Sequence, residues 1–287
     1  MTNHSRSAAR RGFTLIEVLV GMVIFAIVGA LFTQLLSSQG RFFDKQGMSN
    51  AARNVSRGAL NRVVSDFRMI ETTGGVIDAS PTRVTLRIPF AIGVVCSSNN
   101  TSTAVSMLPV DSVTYHAEGF YGYAWRNAVT GAYTYVENPA AHDKTTGQNA
   151  CNNVLITTLP EGRAARITPL IAGSSLGTPV FLYRRVRYEF RASTAVVGKI
   201  GLFRTIIFPN GAQQSEELVA PFASTARFRF FVVGSNDVAQ DAPPANLASI
   251  RGLELHLDGA SEVIAAGESS VATASFTTAV FFKNRTN

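Results

Sequence analysis

The N-terminal quarter of the chain shows two hydrophobic patterns in succession, and the first is an almost unbroken apolar run. Residues 13–36 contain a single charged side chain, that of Glu17. At about 1.5 Å per residue, a helix of this run is roughly 36 Å long, which is enough to cross a hydrocarbon core of about 30 Å. The run therefore predicts a transmembrane helix.

The second pattern is one-sided. Apolar residues recur at spacings of three and four at Met48, Ala52, Val55, Ala59, Val63, Phe67 and Ile70. This spacing is typical of an amphipathic helix that lays one face on a core. We expect one long helix from about Thr14 to about Glu71, with a bend at Gly40 or Gly47 left open, ended by Gly74 and Gly75.

From Arg83 onward the period changes to two, with apolar residues alternating with charged or polar ones. This alternation indicates half-buried strands. Strands are predicted at residues 83–88, 185–190, 227–232 and 253–258, with a further strand within 271–282. The fold class expected is α+β, with the long helix packed on an antiparallel β-sheet domain.

The residues before the apolar run form a basic leader that ends in a small residue. Arg6, Arg10 and Arg11 precede Gly12. An ordinary secretory signal places its small-residue cleavage site after the apolar part, not before it. The leader is therefore of a different kind.

A carboxylate inside a membrane helix costs about 2.5–3.5 kcal/mol at the centre of the bilayer and less near an interface. Glu17 therefore requires a cation. Cleavage after Gly12 would place the new amine of Phe13 one helical turn away, and the same amine of a neighbouring subunit is an equivalent partner. The alternative is that Glu17 lies at the interface and reaches the headgroups.

The stretch Arg10–Val20 resembles the prepilin leader of type IV pilins and type II secretion pseudopilins. The resemblance implies that a prepilin peptidase and N-methyltransferase cuts between Gly12 and Phe13 and methylates Phe13. It also implies that Glu17, the fifth mature residue, is the charge used in filament assembly. The implied partners are other pilin or pseudopilin subunits and the inner-membrane assembly platform, and no cofactor is implied.

The resemblance also implies a pilin-like organisation of the chain. It divides into a leader at 1–12, a transmembrane and filament-core helix at 13–36, an amphipathic continuation at 37–75 and a β-rich domain at 76–287. The chain would cross the bacterial inner membrane once with a cytoplasmic N-terminus, and its domain would then lie in a cell-surface filament or a periplasmic pseudopilus. Removing the three leader arginines lowers the formal charge from +7 to +4.

Three features point to a particular kind of subunit. The series 180–191, 216–233 and 250–258 resembles the strands of the large minor pilins and of the corresponding minor pseudopilin. No proline lies between Phe13 and Gln46, and no cysteine pair lies near the C-terminus. These features favour a minor subunit that initiates assembly or caps the tip. The alternative is a pilin-anchored binding protein, either an adhesin or a DNA-uptake receptor.

The chain has two cysteines, Cys96 and Cys151. In an oxidising exported domain we expect them to pair, which would close a loop of 55 residues and stabilise the fold by about 4 kcal/mol. They bracket a polar, aromatic-rich stretch at about 96–153, predicted to be an insertion that contacts a partner. The alternative is that its aromatic residues are core strand residues. These are Tyr115, Tyr121, Tyr123, Trp125, Tyr133 and Tyr135.

The sequence contains no recognisable catalytic constellation or metal site. Four histidines are scattered without metal-ligand spacing, at positions 4, 116, 142 and 256. Arginines interleaved with aromatic residues are candidate contacts for an anionic partner such as DNA. They are Arg184, Arg185, Arg187, Arg227 and Arg229. The alternative, which we favour, is that these arginines line solvated strand faces.

Overall fold

The computed structural model describes residues 14–71, 73–111, 113, 121–127, 131, 133–137, 142–143, 151, 156, 163–234 and 237–282. The long helix α1 (Leu15–Arg68) contains 54 residues, and helical hydrogen bonding continues through both Gly40 and Gly47. A short 3-10 helix lies at Leu247–Ser249. The helix ends three residues before the predicted boundary at Glu71. At its end the Met69 N–H donates to carbonyls of the last turn, and Ile70 is fully buried.

Fifteen strands follow the helix within the described residues. They are β1 (Val76–Ser80), β2 (Arg83–Ser98), β3 (Thr103–Met107), β4 (Gly122–Arg126), β5 (Tyr133–Glu137), β6 (His142–Asp143), β7 (Arg163–Ile167), β8 (Pro179–Ala192), β9 (Ile200–Ile207), β10 (Gln213–Phe222), β11 (Arg227–Val232), β12 (Ile250–His256), β13 (Gly259–Ile264), β14 (Val271–Ala274) and β15 (Thr277–Phe281).

These strands form two antiparallel sheets. The larger has 12 strands, with the order β14-β13-β10-β9-β8-β2-β3-β7-β6 and with β1, β4 and β5 as side branches; the smaller has the order β11-β12-β15. The pair β2 and β8 is the central element, registered from Arg83 opposite Glu189 to Val94 opposite Pro179. The chain is therefore α+β and pilin-like, with a long N-terminal helix followed by an antiparallel β domain.

The main core lies between α1 and both sheets. Its helix residues include Ala59, Val63 and Phe67, and its strand residues include Tyr188 and Phe228. The Phe67 ring contacts Tyr188 edge-on, with a centroid distance of 5.2 Å, and lies 6.3 Å from Phe228. The one-sided spacing in the second part of the helix is therefore explained by burial against the β domain.

A second core lies at the far end of β2 and β8. Its residues include Val95, Met107, Tyr123, Trp125 and Leu182. The even-numbered face of β8 passes from this core to the main core, because Val180 and Leu182 belong to the second core and Val186 and Tyr188 to the main one. The long strands therefore join two packed regions.

Two of the predicted strands differ in the structure. The segment 271–282 contains two strands, β14 in the larger sheet and β15 in the smaller one, because the chain changes sheets near Ser275 and Phe276. The Phe276 carbonyl accepts a hydrogen bond from the Leu257 N–H at this crossing. Likewise, the stretch 216–233 is divided between β10 and β11.

Candidate functional site

The first part of α1, residues 14–47, buries no side chain against the β domain, and its described ion pair with that domain, Lys45–Glu268, is exposed. Every residue from 14 to 47 is exposed, and Phe25 exposes 80% of its surface. Within the described residues, α1 is the one helix long and apolar enough to cross a membrane. A helix that is apolar on all sides requires a lipid or protein environment, and this one fits a single-pass membrane anchor.

The hydroxyl groups in this part of the helix are satisfied locally. Thr33 donates to the carbonyl of Ala30 at 2.8 Å, and Ser37 donates to the carbonyl of Thr33 at 2.8 Å. Such back-bonding lets hydroxyl side chains lie in an apolar environment without an external partner. Glu17, in contrast, is the one charged group in the apolar run at 13–36.

Glu17 and Thr14 form a capping box at the start of α1. The Glu17 Oε2 accepts hydrogen bonds from the Thr14 backbone N–H and from the Thr14 hydroxyl, both at 2.9 Å, and the Glu17 N–H donates to Thr14 Oγ1 at 3.3 Å. The box thereby supplies acceptors for the backbone N–H groups of Thr14 and Glu17, which have no partner within the helix. Among the described residues, Oε1 has no hydrogen-bond partner, so a second donor or cation has room to bind.

Gly12 and Phe13, predicted to flank the cleavage site, lie outside the described residues. The described helix nevertheless begins immediately after them, with Thr14 as its N-cap. The predicted amine at Phe13 would thus precede the capping box. Its role in balancing the charge of Glu17 stays a prediction.

The second part of α1 is fixed to the β domain by a polar contact that sequence reasoning missed. The buried Ser56 hydroxyl donates to the Leu257 carbonyl at 2.7 Å and accepts from the Gly259 N–H at 3.1 Å. A Cβ at Gly259 would overlap the Ala52 carbonyl oxygen. Gly259 therefore allows the strand to approach the helix closely enough for these bonds. A serine among the small residues of the helix face was the only sequence signal.

A second polar contact lies ten residues later in the helix, about three turns on. The Tyr188 hydroxyl donates to Asp66 Oδ2 at 2.5 Å, and Arg204 Nε lies 3.4 Å from the same oxygen. Burial, together with the Asp66 carboxylate, raises the pKa of Tyr188 above its ordinary value. The tyrosine therefore stays a neutral donor and orients the helix on β8.

The candidate anion-binding arginines on β8 all have partners within the chain. Arg185 pairs with Glu137 at 2.7 Å and lies 4.2 Å from the Tyr121 ring centroid. Arg187 donates to Gln213 at 2.7 Å, and the Arg184 guanidinium lies 4.4 Å from the centroid of the Phe90 ring. Their cationic groups are engaged in cross-strand contacts.

The other two candidates lie on β11, in the smaller sheet. Arg227 and Arg229 both pair with Asp241, at 3.1 and 2.9 Å, and Arg229 also pairs with Glu254 at 2.6 Å. Burial alone would raise the pKa of Glu254, but hydrogen bonds from His256 and Arg229 hold it below its ordinary value. The arginines of β8 lie in the larger sheet and those of β11 in the smaller one, so within the described residues they do not form one continuous basic surface. This arrangement favours a structural role over contact with DNA.

Cys96 and Cys151, predicted to pair, form a disulfide with a Cα–Cα distance of 5.2 Å. Both are buried, with Ala104 and Ala164 beside them. The bond fixes residue 151 to β2 and its neighbours β3 and β7. It therefore lies within the β domain and not at an exposed loop.

The described residues of the proposed insertion at 96–153 include strands of the larger sheet. Tyr123 and Trp125 are buried in the second core, and the Tyr123 hydroxyl donates to the Pro169 carbonyl at 2.9 Å. Burial raises the pKa of Tyr123 to about 12. Tyr115 lies outside the described residues. The structure of Tyr123 and Trp125 corresponds to the alternative, core strand residues.

Comparison with known proteins gives one match. Residues 7–33 match the family model described as the prokaryotic N-terminal methylation motif. This motif is the prepilin-type leader of type IV pilins and pseudopilins. No curated protein and no solved structure matches the chain significantly. The chain thus carries a pilin-type leader, which implies processing by a prepilin peptidase and assembly with other pilin subunits.

Over the described residues, no group of three or more His, Cys, Asp or Glu side chains is arranged to hold a metal ion.

Proposed function

We propose that the protein is a minor subunit of a type IV pilus or a type II secretion pseudopilus, and that it helps to initiate assembly or caps the filament tip. The observation that carries the proposal is the leader motif at residues 7–33, directly joined to a helix whose residues 14–47 are all exposed. The leader supports membrane insertion and processing. The exposed apolar helix supports later burial among other subunits.

The proposed assembly step uses the free oxygen of Glu17. In the membrane, the capping box supplies two hydrogen bonds to Oε2. During assembly, Oε1 receives the methylated amine of Phe13 from a neighbouring subunit. Charge-assisted bonds of this kind are strong in a low-dielectric environment, so they favour a subunit that docks at the correct depth.

The shape of the chain supports a minor role over a major one. The helix is regular from Leu15 to Arg68, with no proline before Gln46 to interrupt it. The β domain contains the main and second cores and a 12-stranded sheet, so a large domain is attached to one helix. A large domain is better accommodated at the end of a filament than between closely packed neighbouring subunits along its length.

Substitution at the cleavage site tests the leader assignment. Gly12→Leu should block processing, because the peptidase must bind the residue before the scissile bond closely. The membrane form should then retain residues 1–12 and fail to enter sheared filaments. Gly21→Leu is the matched control, since a Cβ at Gly21 meets no atom within 4 Å; its processing should be unchanged. A normal mature mass for Gly12→Leu would contradict the assignment.

The pilin-anchored binding protein remains the competing function. It needs the same leader and the same helix, but its head would bind an adhesion target or DNA. A chain that is processed and membrane-bound, yet absent from filaments, would favour this function over the filament subunit.

A further inference from the structure

One flank of the second part of α1, beside its buried face, carries exposed basic side chains. Arg53, Arg57 and Arg68 are exposed, and successive helical residues turn by about 100°, which places the three within about 60° of one another. Within the described chain, none of them forms an ion pair, whereas the arginines of β8 and β11 discussed above are engaged. We call these three residues the arginine face.

Two of these arginines border a cleft. Arg53, Ser56 and Arg57 form its helix side, and residues 274–276 form the opposite side, enclosing a volume of about 250 Å³. The floor is rigid, because the Ser56 hydroxyl is already bonded to Leu257 and Gly259. Arg53 and Arg57, one helical turn apart, thus line the cleft beside the half-buried Phe276 side chain.

A carboxylate next to the opposite side of the cleft belongs to Asp258, because the cleft-lining Ser275 donates to it. Its two oxygens accept hydrogen bonds from the hydroxyl groups of Ser275 and Thr225. It does not neutralise the two arginines, which lie beyond ion-pair distance from any described carboxylate. Paired guanidinium groups of this kind bind carboxylates through fork-like hydrogen bonds.

A lipid headgroup is too distant to be the anion. Arg53 lies 17 residues beyond Leu36, or about 25 Å along the helix. The headgroup layer adds only about 5–8 Å on each side of the hydrocarbon core, and salt screens charges beyond about 8 Å. A duplex is also a poor match, because DNA-binding proteins neutralise several phosphates along the backbone, whereas the cleft offers two arginines.

Another copy of the same chain is a poor partner for electrostatic reasons. Between residues 41 and 71 there are six basic side chains and three acidic ones, and of the acidic ones Asp66 is bonded to Tyr188 and Arg204. Helices of two copies lying side by side would bring like charges together. Opposite charge selects a different subunit.

We propose that Arg53 and Arg57 bind an aspartate or glutamate side chain of a different, acidic subunit that packs along this side of the helix. The inference rests on the proposed filament function. It adds to that function a specific contact, distinct from the apolar packing near Glu17, that selects the neighbour of this chain.

Site-specific photo-crosslinking in cells tests the contact with the full chain. One photoreactive residue replaces the exposed Asn54, beside the arginine cleft, and a second replaces Phe25 in the apolar part. The expected product at 54 is a peptide of a different leader-bearing protein that contains an acidic residue. The paired variant Arg53→Glu/Arg57→Glu should lower the yield at 54 by about tenfold and leave the product at 25 in place.

Arg62→Glu is the matched control, because Arg62 is exposed on the same helix but about 180° from Arg53; the yield at 54 should stay within about twofold. Changing the crosslinked acidic residue of the partner to arginine should restore the product in the paired variant. Unchanged unfolding midpoints would show that both variants fold.

The proposal is overturned by a product at 54 from a second copy, from lipid or from DNA. It is equally overturned by a yield that the paired variant does not lower, or by no product at 54 while position 25 crosslinks to other leader-bearing subunits. If the chain with Arg53 and Arg57 intact gives no crosslinked product at either position, the filament function itself is contradicted, and the docking contact with it.

Discussion

The two parts of the long helix α1 contrast sharply. Residues 14–47 are exposed on every side, whereas the following turns bury Ala52, Ser56, Ala59, Val63 and Phe67. The first part is apolar on all sides as far as Leu36, where Glu17 is its one charged residue, and the second is apolar on one face. Both parts are continuous helix, so the difference lies in what surrounds them and not in the backbone.

This contrast shows how one element can serve two environments. The second part gains its stability from the β domain, through the aromatic contacts of Phe67 and the Ser56 hydrogen bonds. The first part has no such partner in its own chain, so its apolar surface must be covered by lipid or by other subunits. Changes in the first part should therefore affect assembly, and changes in the second should affect folding.

Removal of the carboxylate from the first part should have the largest effect. Glu17→Val should reduce incorporation into filaments by roughly 100-fold or more, because breaking a buried charge pair costs about 3–5 kcal/mol. Membrane insertion should persist, since valine is apolar. Quantitative immunoblots of sheared filaments and of membranes measure the two pools.

Thr33→Val is the control for that substitution, because it removes a polar group from the same apolar run and the Thr33 hydroxyl bonds only to its own helix backbone. It should assemble nearly normally. Normal filaments containing the Glu17→Val chain would rule out the charge-pair role.

A matched pair of phenylalanine substitutions separates folding from assembly. Phe67→Ala should lower the free energy of unfolding by about 3–5 kcal/mol, because Phe67 is completely buried. Phe25→Ala should leave the free energy of unfolding unchanged, since Phe25 exposes 80% of its surface and belongs to neither core. Denaturant unfolding of the full chain in detergent measures both. If both substitutions lowered the free energy of unfolding equally, the conclusion that only the second part of α1 contributes to folding would be contradicted.

Loss of the disulfide should weaken the small buried cluster of Cys96, Ala104, Cys151 and Ala164, while the contact between α1 and the β domain persists. Replacing Cys96 and Cys151 with serine should lower the free energy of unfolding by about 2–4 kcal/mol. Denaturant titration with and without reductant measures the loss. The serine variant should be insensitive to reductant; a similar response of the variant and the parent would show that the bond contributes nothing.

The smallest expected effect comes from the ion cluster near the end of the helix. Burial alone would raise the pKa of Glu137, but Arg87 and Arg185 hold it below its ordinary value. A lowered folded pKa stabilises the fold at pH values above the unfolded pKa, and this contribution is lost as the pH falls through the folded value.

Glu137→Gln should therefore cost on the order of 1 kcal/mol at neutral pH, and the difference from the parent should vanish in acid. Unfolding measured from pH 7 to about pH 3 tests this. Glu268→Gln is the control, because the Lys45–Glu268 pair is exposed at 66% and 43%. If the free energy of unfolding lost by Glu137→Gln grew as the pH fell, the lowered pKa of Glu137 in the folded protein would be contradicted.

The features that sequence reasoning captured are local. The apolar run, the one-sided spacing from Met48 to Ile70 and the alternation at 227–232 predict the helix and β11 because each depends on neighbours in the chain. The disulfide between Cys96 and Cys151 was also anticipated, from the expected oxidising environment.

The features that it missed depend on distant residues. The order of the strands, the change of sheet near Ser275 and the Ser56–Gly259 contact join segments that are far apart in sequence. Arg87 and Glu137 pair across 50 residues, so no spacing rule reveals them. The same reasoning explains why arginines that resemble an anion site in the sequence are engaged in the folded chain.

The most direct test of the central claim is the intact mass of the protein from sheared filaments and, separately, from membranes, with peptide mapping of the N-terminus. The account predicts a chain that begins at methylated Phe13 and is present in filaments at low copy. A chain that begins at Met1, or a processed chain confined to membranes, would contradict it.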